Sequence, residues 1–330
     1  MRRGMKKGFL LSALIVMVLV FPLFVSTPYF LHILILVGMY ILLALSYDLS
    51  VGQVGALSLA HPAFFGIGAY TGALLAVNYN GNPFFCFFSG AVLAGIVAFL
   101  IGIPCFRLSL HSFAIGTLGF ALILELIVRN WIGLTRGPMG IPGIPKPLLS
   151  IPHLFSWRVN TLTEFYYFMC ILAGLGIAFY LILTRSRVGR AFRAIREDEV
   201  LAAAAGVHPL KYKLIAFVTG ACIAGLVGVF YAYWYAFVSP EQLSLYYTIN
   251  LLIIVFLGGR GSFRGIVVGA FLFTGLPEFL RITPQFRLIL YGILLLITVI
   301  YFPDGIEHIF QRILEPKKRI SAFEKRGLVP

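Results

Sequence analysis

Ten apolar stretches follow one another along this chain, most of them close to twenty residues long and joined by short polar connections. A helix rises 1.5 Å per residue, so about 20 apolar residues cross the hydrocarbon core of a bilayer. The stretches are residues 9–25, 29–47, 62–78, 84–104, 109–130, 163–184, 214–238, 242–258, 264–280 and 286–303. They predict an all-α polytopic membrane protein of about ten transmembrane helices. Composition agrees: 60% of residues are hydrophobic and 12% charged, against roughly half and a quarter in soluble domains.

The charges report on orientation. With all ten stretches crossing and the N-terminus cytoplasmic, 20 of the 26 Lys and Arg residues fall on the cytoplasmic side and six on the other. That bias is the one short cytoplasmic loops carry. Both termini are then expected inside. The net charge of +14 reads as topology and contact with an anionic leaflet, not as nucleic-acid binding, for which no motif occurs. Arg2, Arg3, Lys6 and Lys7 precede the first stretch. It is long for a signal-peptide core and no small-residue cleavage site follows, so an uncleaved first span is expected. Residues 1–312 read as one transmembrane domain and 313–330 as a basic cytoplasmic tail.

Two connections are long. Residues 131–162 hold Gly137, Pro138, Gly140, Pro142, Gly143, Pro145, Pro147 and Pro152. Such a run is expected to exclude helix and to form a folded extracytoplasmic loop. Residues 185–213 form the longest cytoplasmic connection. Their core is rich in helix formers, with Gly206 placed to end a helix and Pro209 to stop it. Ala191, Ala194, Ile195 and Val188 line up as an apolar stripe among charges, predicting an amphipathic helix over 188–206.

Polar residues within apolar surroundings are the candidate functional groups. Residues 48–61 carry Asp48, Gln53, Ser58 and His61, with Gly52 and Gly55 between them. Glycine-interrupted helices at membrane depth point to a transport site; a cytoplasmic turn before a helix starting at His61-Pro62 fits equally. Residues 258–265 repeat the ambiguity. They read as a broken or re-entrant element, or as a tight turn using the freedom of glycine. Glu125 stands four residues before Arg129, either as an intramembrane functional carboxylate or as one half of a structural ion pair. Asn250 suits an interhelical hydrogen bond as well as a substrate contact. Gly66, Tyr70 and Ala73 share one helix face, as do Gly220, Ala224 and Gly228, and these faces suit close packing. Cys86, Cys105, Cys170 and Cys222 read as small apolar residues. No P-loop, metal-ligand cluster or nucleophile motif is present, so no catalytic residue, metal site or cofactor is expected in this chain.

Several runs carry a family resemblance. They are YDLSVGQVGALSLAHPAFFGIGAY from Tyr47, SRVGRAFRAIREDEVLAAAAGVHPLKYKLIAF from Ser186, VFLGGRGSFRGIVVGAF from Val255, and the later LPEFLR and FPDGI. In this order they resemble branched-chain amino-acid ABC transporter permeases of the LivM type. The resemblance implies a subunit of an importer in a bacterial or archaeal inner membrane. It implies a sister permease, two ATPase subunits that bind the ATP, and an extracytoplasmic substrate-binding protein. It makes 185–213 the coupling segment to the ATPases, with Arg190, Ala194, Arg196, Glu197, Asp198, Ala203, Ala204 and Gly206 as its contact residues. Gly206 matches the glycine of the Glu-Ala-Ala loop; Val200, Leu201 and Ala202 stand where Glu-Ala-Ala is usual. Gln53, Ser58, His61, Glu125 and Asn250 are the candidates for the substrate pathway. Similar permeases carry urea or short amides, which is the alternative substrate class. A stand-alone secondary transporter is the rival class, and the scarcity of mid-membrane ionisable residues argues against it.

Overall fold

The computed structural model describes residues 28–79, 81–151 and 155–279, with 22, 292, 293 and 296 as isolated positions. Apart from those four positions, the expected spans at 9–25 and 286–303 lie outside the described residues, as does the tail at 313–330. Five described helices are long and apolar enough to cross a membrane. The chain builds α1 (Pro28–Asp48), α2 (His61–Tyr79), α3 (Pro83–Cys105), α4 (Leu110–Asn130) and a short α5 (Ile132–Thr135). It continues with α6 (Leu162–Arg185), α7 (Arg187–Glu197), α8 (Glu199–Ala204), α9 (Pro209–Tyr235), α10 (Leu245–Gly258) and α11 (Phe263–Phe279).

Helix α9 is the hub. It packs along α3 and α2, and less extensively on α1. Small residues permit this. A Cβ on Gly68 of α2 would overlap the Gly225 carbonyl of α9, and one on Gly228 would overlap the Phe65 carbonyl. A Cβ on Gly225 would stand 2.6 Å from the Gly90 carbonyl of α3. Where lipid is as apolar as the side chains, close backbone approach and the dispersion contacts it brings are what favour association. The Gly220–Ala224–Gly228 face therefore lies at a packed interface, whereas Gly66 faces the Leu243 side chain. Helices α3, α4 and α6 are peripheral and show apolar residues outward, among them Phe88, Leu100, Ile115, Ile123 and Leu175.

The two ends of the bundle differ. At one end the 131–162 loop folds against the chain after α9. The strands β1 (Ile141–Pro142) and β4 (Phe237–Val238) pair antiparallel, while β2 (Leu148–Ile151) and β3 (Phe155–Arg158) form a hairpin. The loop is not free of helix as expected: α5 and a 3₁₀ turn at Gly137–Met139 precede β1. Helix α5 precedes the first proline, and the 3₁₀ turn takes in Pro138 in its first turn, where a missing N–H costs nothing; Arg136 adopts a left-handed conformation between the two. Thr161 and Glu164 then cap α6 reciprocally, as a Thr-x-x-Glu sequence allows.

At the opposite end lie the connections after α1, between α3 and α4, from α6 to α9, and between α10 and α11. The chain after β4 does not run straight into α10. A 3₁₀ turn at Pro240–Leu243 turns back into the bundle and is held by Gln242 donating to the Tyr231 hydroxyl at 3.0 Å. Helix α10 consequently has only 14 residues, about 21 Å of rise.

Candidate functional site

Helix α1 ends in a π-helical turn, Leu49–Gln53, followed by irregular backbone to Ala60. The segment is buried or half-buried throughout, so its peptide groups need partners within the protein. Side-chain hydroxyls from three helices supply them. Leu59 N–H donates to Thr117 Oγ1 of α4 at 3.0 Å, and Thr248 Oγ1 of α10 donates to the Leu59 carbonyl at 3.3 Å. Tyr47 donates to the Ser58 carbonyl at 2.8 Å. Within the segment Ala56 N–H reaches the Ser50 carbonyl at 2.9 Å and Ala60 N–H the Ser58 hydroxyl at 3.2 Å. Gly55 supplies a φ of +83°. This is interrupted backbone wedged between helices, not an exposed turn, although α2 does begin at His61.

Residues 258–265 resolve the other way. Gly259 (φ 102°) and Gly261 (φ 79°) form a tight turn joining α10 to α11. A Cβ on Gly265 would overlap the Gly258 carbonyl, so the two helices also meet closely. The expected re-entrant element is a turn here; the stretch that enters the bundle is the 3₁₀ turn before α10. The sequence does not distinguish these cases, because glycine serves both.

The two glycine segments meet at one buried carboxylate. Asp48 Oδ1 accepts from Gly261 N–H at 2.8 Å, and Oδ2 from the Tyr180 hydroxyl of α6 at 2.5 Å and from Gln53 Nε2 at 3.4 Å. Gln53 Nε2 also lies 3.0 Å from the Tyr180 oxygen and 3.2 Å from the Gly261 carbonyl. A buried carboxylate is tolerable only with such a set of donors. Above it, Arg196 Nη1 donates to the Gly52 carbonyl at 2.5 Å and to the Arg260 carbonyl at 3.4 Å.

Arg196 belongs to α7, which α8 follows. Ser186 caps α7, its hydroxyl accepting from Val188 and Gly189 N–H. Gly189, Ala191, Phe192 and Ile195 are its buried face. Val188 and Ala194 of the expected stripe are half-buried, and Phe192 is the larger anchor. The single helix expected over 188–206 is two helices. Asp198 takes an extended conformation and accepts from Val200 and Leu201 N–H at 2.8 and 2.9 Å, so it ends one helix and caps the next. The end of α8 follows the expectation. Gly206 (φ 85°) donates to Ala203 and Val207 to Ala202, a Schellman arrangement. Pro209 does not stop a helix; it starts α9, where its missing N–H costs nothing. Val200 and Leu201 are 78% and 68% exposed, and Ala203 and Ala204 beside them are also exposed. A cavity of about 540 Å³ lies between residues 195–199, the 54–56 backbone and the α3–α4 turn, with Arg107 and Lys213 on its wall.

The sequence-derived candidates therefore separate. Gln53 and Arg196 come together at the Asp48 cluster. Ser58 lies in the interrupted segment, and His61 Nε2 is 2.8 Å from Ser46 Oγ between the rings of Tyr47 and Phe64. Asn250 donates to the Tyr40 hydroxyl at 3.4 Å, while its Oδ1 is buried without a hydrogen bond. Glu125 is apart, paired with Arg129 at 2.9 Å. Arg190 and Glu197 are exposed. Asp48 is visible in the sequence as an acid closing an apolar run. Tyr180, Thr117 and Thr248 carry no such signal, since lone hydroxyls are ordinary in apolar helices. Among the described residues no group of three or more His, Cys, Asp or Glu could hold a metal ion.

A bundle of apolar helices with buried interrupted backbone, tied to a polar helical segment at one end, has the build of a multi-pass membrane protein. Residues 29–299 match the family described as branched-chain amino acid transport system / permease component, and the chain belongs to it. It is 32% identical over 320 residues to the high-affinity branched-chain amino acid transport system permease protein LivM of Escherichia coli, covering 91% of this chain and 75% of that protein. It is 25% identical over 282 residues to LivH of the same organism, covering 81% and 90%. The probable LivM of Methanocaldococcus jannaschii is 24% identical over 322 residues, covering 83% and 92%. No solved structure matches it.

Proposed function

We propose that this chain is the permease subunit of an ABC importer for leucine, isoleucine and valine, forming half of the translocation pathway in an inner membrane. Likeness to branched-chain amino acid permeases along nine-tenths of the chain carries the reading. On it, a sister permease completes the pathway, two ATPase subunits bind the ATP, and an extracytoplasmic binding protein delivers the amino acid.

Ten spans with both termini inside are supported by the 20-to-6 division of basic residues that this topology produces. The gathering of the α3–α4 turn, the 185–213 segment and the α10–α11 turn at one end of the bundle supports it. The exposed apolar tip of α8 is the part of the chain best suited to a groove on an ATPase. ATP-driven closure then displaces α7–α8 and with it α6 and α9. Access to the pathway changes because the two states differ in affinity for the solute and the nucleotide. On this reading the interrupted segment 54–60, with Ser58 and Asn250, is the candidate lining of the route.

Proteoliposomes holding the complex, with binding protein outside and ATP inside, are expected to accumulate labelled leucine. ATP-dependent uptake of urea or a short amide, with none of leucine, would replace the substrate class while leaving the importer.

A further inference from the structure

We propose that Arg196 transmits movement of the α7–α8 segment to both glycine segments of the permease, as a positioning residue and not as a contact with a soluble partner. The proposal rests on the importer reading above. It comes from what the guanidinium holds. The Gly52 carbonyl lies at the C-terminal end of α1 and its π-turn, where carbonyls lack helical partners and the helix dipole favours a cation. The Arg260 carbonyl lies in the turn between α10 and α11. One nitrogen reaches both, at 2.5 and 3.4 Å. The slot around it is made of glycines: a Cβ on Gly55 would lie 3.4 Å from Arg196 Cγ, and one on Gly261 2.8 Å from Nη1.

The other arginines of α7 do not do this. Arg193 donates to Thr184 at the end of α6, within its own segment. Arg190 and Arg187 are exposed, as Arg196 itself is, but among the described residues neither has a hydrogen bond to either glycine segment. Beneath Arg196, Asp48 fastens the same two segments to each other and, through Tyr180, to α6, the helix that leads into α7. The α6–α7 unit thus grips the end of α1 at two heights. A cavity of about 540 Å³ lies beside Arg196, between α7 and the 54–56 backbone. Both bonds come from Nη1, whose two N–H groups the planar guanidinium holds in fixed directions; the ammonium of lysine, on a flexible stem, holds the same two carbonyls less firmly.

The test uses the whole complex in proteoliposomes with Arg196→Ala, Arg196→Lys and, as control, Arg187→Ala. Three quantities are read: co-purification of the ATPases, solute imported per ATP hydrolysed, and the ATP-dependent change in amide exchange over 49–56 and 259–262. Arg196→Ala is expected to co-purify and to hydrolyse ATP within twofold of wild type. Its import per ATP should fall at least tenfold and the exchange change in both segments should vanish. Arg196→Lys should be intermediate and Arg187→Ala unaffected. Import per ATP within twofold of wild type in Arg196→Ala, or an unaltered exchange change, overturns the proposal. If the alanine variant fails to assemble, wild-type behaviour of Arg196→Lys overturns it and reduced coupling supports it. The exchange arm needs ATP alone, so it judges Arg196 even if the wild-type complex imports no branched-chain amino acid.

Discussion

Replacing glycine by alanine at Gly68, Gly66 and Gly119 should give three different results, set by what the new methyl group meets. At Gly68 it meets the backbone of α9, with the carbonyl oxygen, Cα and carbonyl carbon of Gly225 as its nearest atoms. Backbone cannot rotate away, so α2 and α9 must separate along one of the most extensive interfaces of the bundle. Overpacking of this kind costs about 1–3 kcal/mol and sometimes more; with no side chain free to yield, we expect about 3 kcal/mol. At Gly66 the methyl group meets the Leu243 side chain, its Cγ first, which unlike backbone can yield by rotation about χ1, and the cost should be about 1 kcal/mol. At Gly119, inside α4, nothing lies within 4 Å. Alanine there gains the helix-propensity difference of about 1 kcal/mol. The assay is thermal unfolding of the detergent-purified permease followed by tryptophan fluorescence. Each kcal/mol moves the midpoint by about 2–4 °C in chains of 150–250 residues. The expected order is Gly119→Ala, wild type, Gly66→Ala, Gly68→Ala, from most to least stable. A Gly68→Ala midpoint equal to wild type, or a Gly119→Ala midpoint below it, would refute the packing argument.

Two further substitutions address the polar groups. Thr117→Val keeps the shape of the side chain but leaves the Leu59 N–H without its acceptor, so it should cost about 1–3 kcal/mol and raise amide exchange over 54–60; unchanged exchange would show that another group satisfies Leu59. Glu125→Gln weakens a pair whose arginine is 44% exposed, so stability should change by less than about 1 kcal/mol and leucine uptake should persist. Loss of uptake at unchanged stability would put Glu125 in the pathway.

Much of this architecture is legible residue by residue. Outside the two long connections, the described helices fall within a few residues of the apolar stretches, apart from α9, which begins at Pro209 rather than 214, and α10, which begins at Leu245. Caps are equally local. Ser186, Asp198 and Thr161 are good N-caps in any context, and Asp198 divides α7 from α8 for that reason. Reading 188–206 as one helix gave too much weight to its alanines and too little to that aspartate. The glycine stretches were evident, but their conformations were not. Glycine permits left-handed turns, interrupted backbone and close helix contact alike, and only the neighbours decide among them.

The sequence by itself determined that the chain is a bundle of apolar helices and where its polar connections fall. Hydropathy over twenty residues is a property of the segment alone, and lipid enforces it. The tertiary structure decided what those connections touch. Arg196 meets Gly52 across 144 residues, and Asp48 meets Tyr180 across 132 and Gly261 across 213. Such contacts leave no periodicity behind, because a hydrogen bond constrains only the atoms that make it. The same holds for Gly68 against Gly225: the sequence marks both as small, and only the crossing of α2 and α9 makes one the limit on the other.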